Sequence, residues 1–108
     1  MSYLADLEPH EIALLLMMYD RGIIGKSNYI AIEKVASKVK WQQIQGAFGI
    51  KDSLDKVARR LVKKLYLSDD GKSMAVLYLD KYGALYVEQY LKDNPAAISD
   101  LEAKLDRK

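Results

Sequence analysis

Eight consecutive apolar residues, Ile12-Ala13-Leu14-Leu15-Leu16-Met17-Met18-Tyr19, stand between Pro9 and Gly22. Proline suits the first helical turn, where its missing N–H costs nothing, and Glu8 and Glu11 suit the positive end of the helix dipole. Gly22 suits a C-terminal cap. The spacing predicts a helix from about Glu8 to Arg21 that is apolar on every side. Such a helix must be covered all round. A chain of 108 residues has little interior to offer, because small domains bury only about 60–70% of their unfolded surface. The expectation is that a second subunit covers one side of it. The run is too short to cross a bilayer.

Absences narrow the chemistry. There is no cysteine and a single histidine, His10. Disulfide scaffolds, zinc ribbons, thiol nucleophiles and histidine-based triads therefore lack material. The carboxylate pairs Asp69/Asp70 and Asp52/Asp55 stand beside no histidine and no glycine-rich phosphate loop. No enzyme, cofactor or metal is expected. No charged-then-apolar leader opens the chain, so a cytoplasmic location is expected.

Charge is unevenly placed. The net charge is +2, which on its face argues against a polyanionic partner. Residues 26–72, however, hold eleven basic and five acidic side chains, and the remainder holds six against ten. A +6 centre flanked by −4 can steer toward nucleic acid, or it can be a solvated face.

The periodicity assigns elements. A second helix is expected over about Tyr29 to Val39, capped by Ser27 or Asn28, with Ile32, Val35, Ala36 and Val39 inward. Residues 40–50 read as a short helical turn plus loop, because Gly46 and Gly49 punctuate them. From about Lys51 to Tyr66 the apolar residues Leu54, Val57, Ala58, Leu61, Val62 and Leu65 form one helical stripe. Asp52, Lys56, Arg59, Arg60 and Lys63 fall opposite. Asp69-Asp70-Gly71 is a hairpin turn signal between strands at about Tyr66–Ser68 and Met74–Leu79. Asp80 caps a further helix, about Lys81 to Asp93. Asn94-Pro95 starts a last helical piece or kinks one long helix.

Helix, helix, basic amphipathic helix, hairpin, helix is the order of a winged helix-turn-helix. The expected class is mainly α with a small β-hairpin, residues 1–79 forming the DNA-binding domain and 80–108 a C-terminal dimerisation extension. A helix fills the B-DNA major groove if one face holds it to the body and the other offers basic side chains. Arg59, Lys56 and Asp52 are expected to face the groove, with Arg59 suited to a bidentate contact with guanine. Arg60, Lys63 and Lys64 are expected on phosphates, with Lys72 and Ser73 at the wing tip. Ser53 lies on the flank. Gln42, Gln43 and Gln45 either read adenine, hold the backbone or form a solvated turn.

Three stretches carry a family resemblance: Leu7-Glu8-Pro9-His10-Glu11-Ile12-Ala13-Leu14-Leu15-Leu16, Val57-Ala58-Arg59-Arg60-Leu61-Val62-Lys63-Lys64-Leu65-Tyr66-Leu67, and Tyr78-Leu79-Asp80-Lys81-Tyr82-Gly83. Over about residues 7–92 the chain resembles the small winged-helix transcriptional regulators of archaea and bacteria, of the MarR, PadR and archaeal Lrp-related kinds. Asp80 replaces the threonine of their post-wing signature. Residues 40–50 are longer than their usual turn before the recognition helix. The resemblance implies a homodimeric, nucleoid-associated transcriptional regulator bound to double-stranded DNA. DNA binding for plasmid partition or chromatin organisation, and a protein-protein adaptor role, are the alternatives.

The dimer surface is expected on Leu14, Met17 and Met18 of the first helix and on Tyr82, Tyr86, Val87, Tyr90, Leu91, Ile98, Leu101 and Leu105. Ala84, Val87, Leu91, Asn94, Ile98, Leu101 and Leu105 alternate by three and four, a heptad seam broken at Asn94. Tyr82, Tyr86 and Tyr90, four residues apart, are expected to pack on the first helix.

Overall fold

The computed structural model describes residues 7–69 and 75–106. Six α-helices and three short strands follow in the order α1 (Pro9–Asp20), β1 (Ile30–Ala31), α2 (Ile32–Lys38), α3 (Trp41–Phe48), α4 (Leu54–Lys63), β2 (Leu67–Asp69), β3 (Val76–Leu79), α5 (Lys81–Asp93) and α6 (Ala97–Leu105). The result is a mainly α domain with a three-stranded antiparallel sheet ordered β1-β3-β2.

α1 is the centre of the molecule. Leu14, Leu15, Met17 and Met18 have no solvent exposure, and Ala13 and Leu16 almost none. The cover comes from the chain itself: α2, α3, α5, α6 and β3 all pack on α1. This corrects the expectation that a second subunit is needed there. The same correction applies to most of the expected dimer surface. Tyr86, Val87, Leu101 and Leu105 are buried in one core with Leu14, Met17 and Met18, and Tyr90, Leu91 and Ile98 are half-buried against it. Of that set only Tyr82 is exposed. The reason is the reversal at Asn94-Pro95-Ala96, which folds α6 back onto α1 and α3. The heptad pattern is thus satisfied within the chain, and the boundary expected at residues 79/80 runs through a shared core.

Salt bridges latch α6. Arg21, at the end of α1, reaches Glu102 (3.3 Å) and donates from Nε to the Lys38 carbonyl (3.2 Å), while also pairing with Asp20. Lys40 Nζ meets Asp106 at 2.9 Å, and Lys104 lies 4.3 Å over the Phe48 ring.

β3 is central in the sheet. β2 pairs with it through Leu67–Leu79 and Asp69–Leu77, and β1 through Ile30–Leu77 and Ala31–Val76. Further along the same edge Ile24 bridges Leu79. The helix expected from Tyr29 therefore begins only at Ile32, because a 3₁₀ turn (Lys26–Asn28) and β1 occupy the preceding residues. Leu77 and Leu79 are buried and Val76 and Tyr78 half-buried, as a strand partly covered on both faces requires.

Residues 41–48 form a full helix where a short helical turn plus loop was expected. Lys40 takes a left-handed conformation (φ 59°), so the chain turns from α2 into α3 within Val39-Lys40. Trp41 and Ile44 seat α3 in the core, and Gly49 (φ 65°) ends it.

Candidate nucleic-acid interface

α4 is built as a helix with one face in the body and one in solvent. Leu54, Val57, Ala58 and Leu61 are buried, while Asp55, Lys56, Arg59, Arg60 and Lys63 are exposed. Ser53 caps its start, its hydroxyl accepting from the Lys56 N–H at 3.3 Å. The helix is shorter than the stripe suggested. Trp41 Nε1 (3.2 Å) and Gln45 Nε2 (2.9 Å) both donate to the Asp52 carbonyl and hold the chain before Ser53 out of the helix. At the other end the chain turns at Lys64 and Leu65.

The five polar residues expected on one helical face therefore divide. Asp52 precedes the helix, and its carboxylate meets Arg60 Nη2 at 3.1 Å and Lys56 Nζ at 3.6 Å. Arg60 also reaches Glu11 with Nε, at 3.6 Å. Glu11 is buried in α1 and accepts the Glu8 N–H at 2.8 Å. Arg60 thus ties α4 to both α1 and the α3–α4 connection, and it is less available to a phosphate than its exposed neighbours. Arg59 and Lys63 are exposed and make no ion pair or side-chain hydrogen bond among the described residues. Lys56 keeps two-thirds of its side chain in solvent despite its pairing with Asp52. Lys64 is exposed at the C-terminal cap.

The glutamines come together with the start of α4. A groove of about 600 Å³ is lined by Lys40, Gln42, Gln43, Gln45 and Ser53 over a floor of Trp41 and Leu54. Gln42 and Gln43 are exposed, whereas Gln45 is committed to the Asp52 carbonyl. Lys40 belongs to this groove and was not singled out from sequence; its left-handed backbone and lone position between two helices give no periodic signal. Lys51, exposed just before the α4 cap, was likewise passed over.

The hairpin follows α4 directly. Its strands pair antiparallel, and the Ser68 hydroxyl of β2 donates at 2.6 Å to the carboxylate of Asp80, the residue that follows β3 and caps α5. Lys72 and Ser73 lie outside the described residues. Among the described residues no group of His, Asp and Glu is arranged to hold a metal ion, and no helix is long and apolar enough to cross a membrane. Comparison of the chain with protein-family models, with curated proteins and with solved structures gave no match.

Proposed function

We propose that this chain is a sequence-specific double-stranded DNA-binding protein of the winged helix-turn-helix type, acting as a homodimeric transcriptional regulator. α4 is the recognition helix for the major groove, and the β2–β3 hairpin is the wing that meets the backbone or the adjacent minor groove. One observation carries the reading. Arg59, Lys56 and Lys63 project from a single capped helix whose opposite face is locked into the core, directly ahead of an antiparallel hairpin. A rigidly seated basic helix with solvent-exposed cations, two of which (Arg59 and Lys63) make no ion pair among the described residues, is what base-edge readout and phosphate neutralisation require. Its strand order, with β1 added to the far edge of β3, is compatible with this reading. Gln42, Gln43 and Ser53 line one groove at the start of α4, which supports a role for the two glutamines in holding the DNA backbone or reading adenine.

The test is selection of genomic fragments, followed by anisotropy titrations of the selected site and of random duplex at two salt concentrations. Affinity falls steeply with salt through counterion release. Arg59→Ala costs about 1–3 kcal/mol on the selected site and less on random duplex. Equal losses on both remove the base-reading role, and salt-independent binding removes the electrostatic one. A footprint that extends with concentration in place of one short protected site makes the protein a DNA organiser.

A further inference from the structure

The core accounts for every apolar residue that suggested a dimer except Tyr82, and it leaves two leucines outside beside that ring. Leu65 (57% exposed), Tyr82 (59%) and Leu85 (49%) line one shallow groove of about 480 Å³ with Tyr66. We propose that this patch is where a second copy of the chain docks, α5 lying antiparallel on α5 about a two-fold axis at Leu85.

Leu65 is the first reason. Its backbone sits at φ 70°, in the left-handed region that glycine enters freely and leucine resists. The turn is closed by the Leu65 N–H to the Val62 carbonyl and the Tyr66 N–H to the Leu61 carbonyl, both 3.0 Å. Glycine is the ordinary occupant of that position. A leucine there is strained, and its side chain gains little from the chain's own core. Contact with a partner gives it a use, and strain of this kind concentrates at functional positions.

The occupant follows from the charges around Leu85. Along α5, residues seven apart lie on nearly the same side of the helix. Lys81 and Glu88 form one such pair, on one flank of Leu85, and Tyr82 and Gln89 form the other. A two-fold axis at Leu85 sets position 81 of one copy near position 88 of the other, and position 82 near position 89. Lys81 then faces Glu88 of the second copy, and Tyr82 faces its Gln89, each pairing occurring twice. Such self-complementarity is what an isologous contact demands. All four residues are exposed, and Lys81 has no ion pair among the described residues. Glu88 accepts a bond from the Tyr19 hydroxyl at 3.3 Å and keeps further lone pairs for a cation.

The proposal rests on the two-copy reading above, but it is tested without DNA. Sedimentation equilibrium of the full chain across the micromolar range reads it directly, with circular dichroism checking that each variant is folded. The wild type is expected to be a dimer. Lys81→Glu and Glu88→Lys each turn both pairings into like-charge pairs and weaken association at least about tenfold. An equimolar mixture of the two restores it as a heterodimer. Leu85→Asp gives a folded monomer. Leu65→Gly associates more weakly, although its backbone is relieved, an effect that a role confined to turn geometry does not produce. A wild-type monomer throughout the range overturns the proposal. So do charge variants that associate normally, or a mixture that fails to recover. Failure here leaves the DNA reading to its own titrations, because α4 binding to a half-site is measured independently.

Discussion

Arg59 and Arg60 are adjacent arginines on one exposed helix face, and the structure separates their duties. Removing Arg60 leaves Glu11, whose side chain is 3% exposed, without a cation. Breaking a fully buried pair costs about 3–5 kcal/mol, and an exposed pair is worth about 0–1 kcal/mol. Arg60 is 46% exposed, Glu11 keeps the Glu8 N–H, and the separation is 3.6 Å. The expected loss for Arg60→Ala is therefore intermediate, about 2 kcal/mol, read as a lowered midpoint in urea. Arg59→Ala lacks any such contact and stays within about 0.5 kcal/mol of wild type, as ordinary surface changes do. Glu11→Gln in the Arg60→Ala background recovers part of the loss, because no unpaired charge then remains buried. On the proposed DNA-binding reading, titrations with duplex supply a second readout. A phosphate contact, once deleted, lowers the salt slope by about 1. Arg60→Ala should weaken binding with little change in slope, whereas Lys63→Ala should lower it. Equal stability of the two arginine variants, or a slope change confined to Arg60→Ala, refutes the assignment of Arg60 as a clamp.

Gly83→Ala is expected to destabilise the fold by about 2–4 kcal/mol, against the gain of about 1 kcal/mol that helix propensity alone predicts. An added Cβ collides with the Tyr66 carbonyl oxygen, which already accepts the Asp80 N–H, and falls 2.7 Å from Leu79 Cδ1; an unchanged or raised melting temperature contradicts this. Tyr19 titrates above its ordinary value of 10.0, chiefly because burial disfavours the phenolate and secondarily because Glu88 repels it and accepts its proton in a hydrogen bond. The sign follows: the protonated form is favoured in the fold, so this contribution to stability is complete below pH 10.0 and is lost as pH rises through the folded pKa. Alkaline absorbance titration of Tyr19→Phe should remove a phenol that ionises late, and loss of an early-titrating one contradicts the assignment.

The parts legible in the sequence are those whose signal is local. The α4 stripe needs only a period of 3.6 residues, and Leu54, Val57, Ala58 and Leu61 are buried as that period requires. Asp80 announces α5 by its own chemistry, and its carboxylate accepts the Lys81 N–H at 2.7 Å. The hairpin strands lie within about a residue or two of their expected bounds. What was missed depends on distant partners. β1 is two residues long and exists because β3 pairs with it. α3 contains an exposed Gly46 and was masked by it, while Trp41 and Ile44 supply the anchoring that propensity does not. The stripe placed Leu65 inward, but the helix stops before it and the turn throws its side chain out. The tyrosines at 82, 86 and 90 each advance around the helix, so Tyr86 is buried near Tyr66 (5.3 Å between ring centroids) while Tyr82 emerges into solvent. Asp52 shows the same limit: a helical wheel assigns it to a face, and two donors to its carbonyl keep it out of the helix.

The short pairing of β1 with β3 also bears on the order in which the molecule assembles. Ile30 and Leu77 are neighbours in space but 47 positions apart in the chain, and everything from α2 through α4 to the hairpin lies between them. Closing so large a loop requires ordering many residues before two strand pairs reward it. The β2–β3 hairpin has no such debt, since its partners lie close in sequence. Folding is therefore expected to complete the hairpin first and to add β1 late. The same ranking governs opening in the native state: β1 can detach while the hairpin stays paired, which frees the leading end of α2 without dismantling the strands that follow α4.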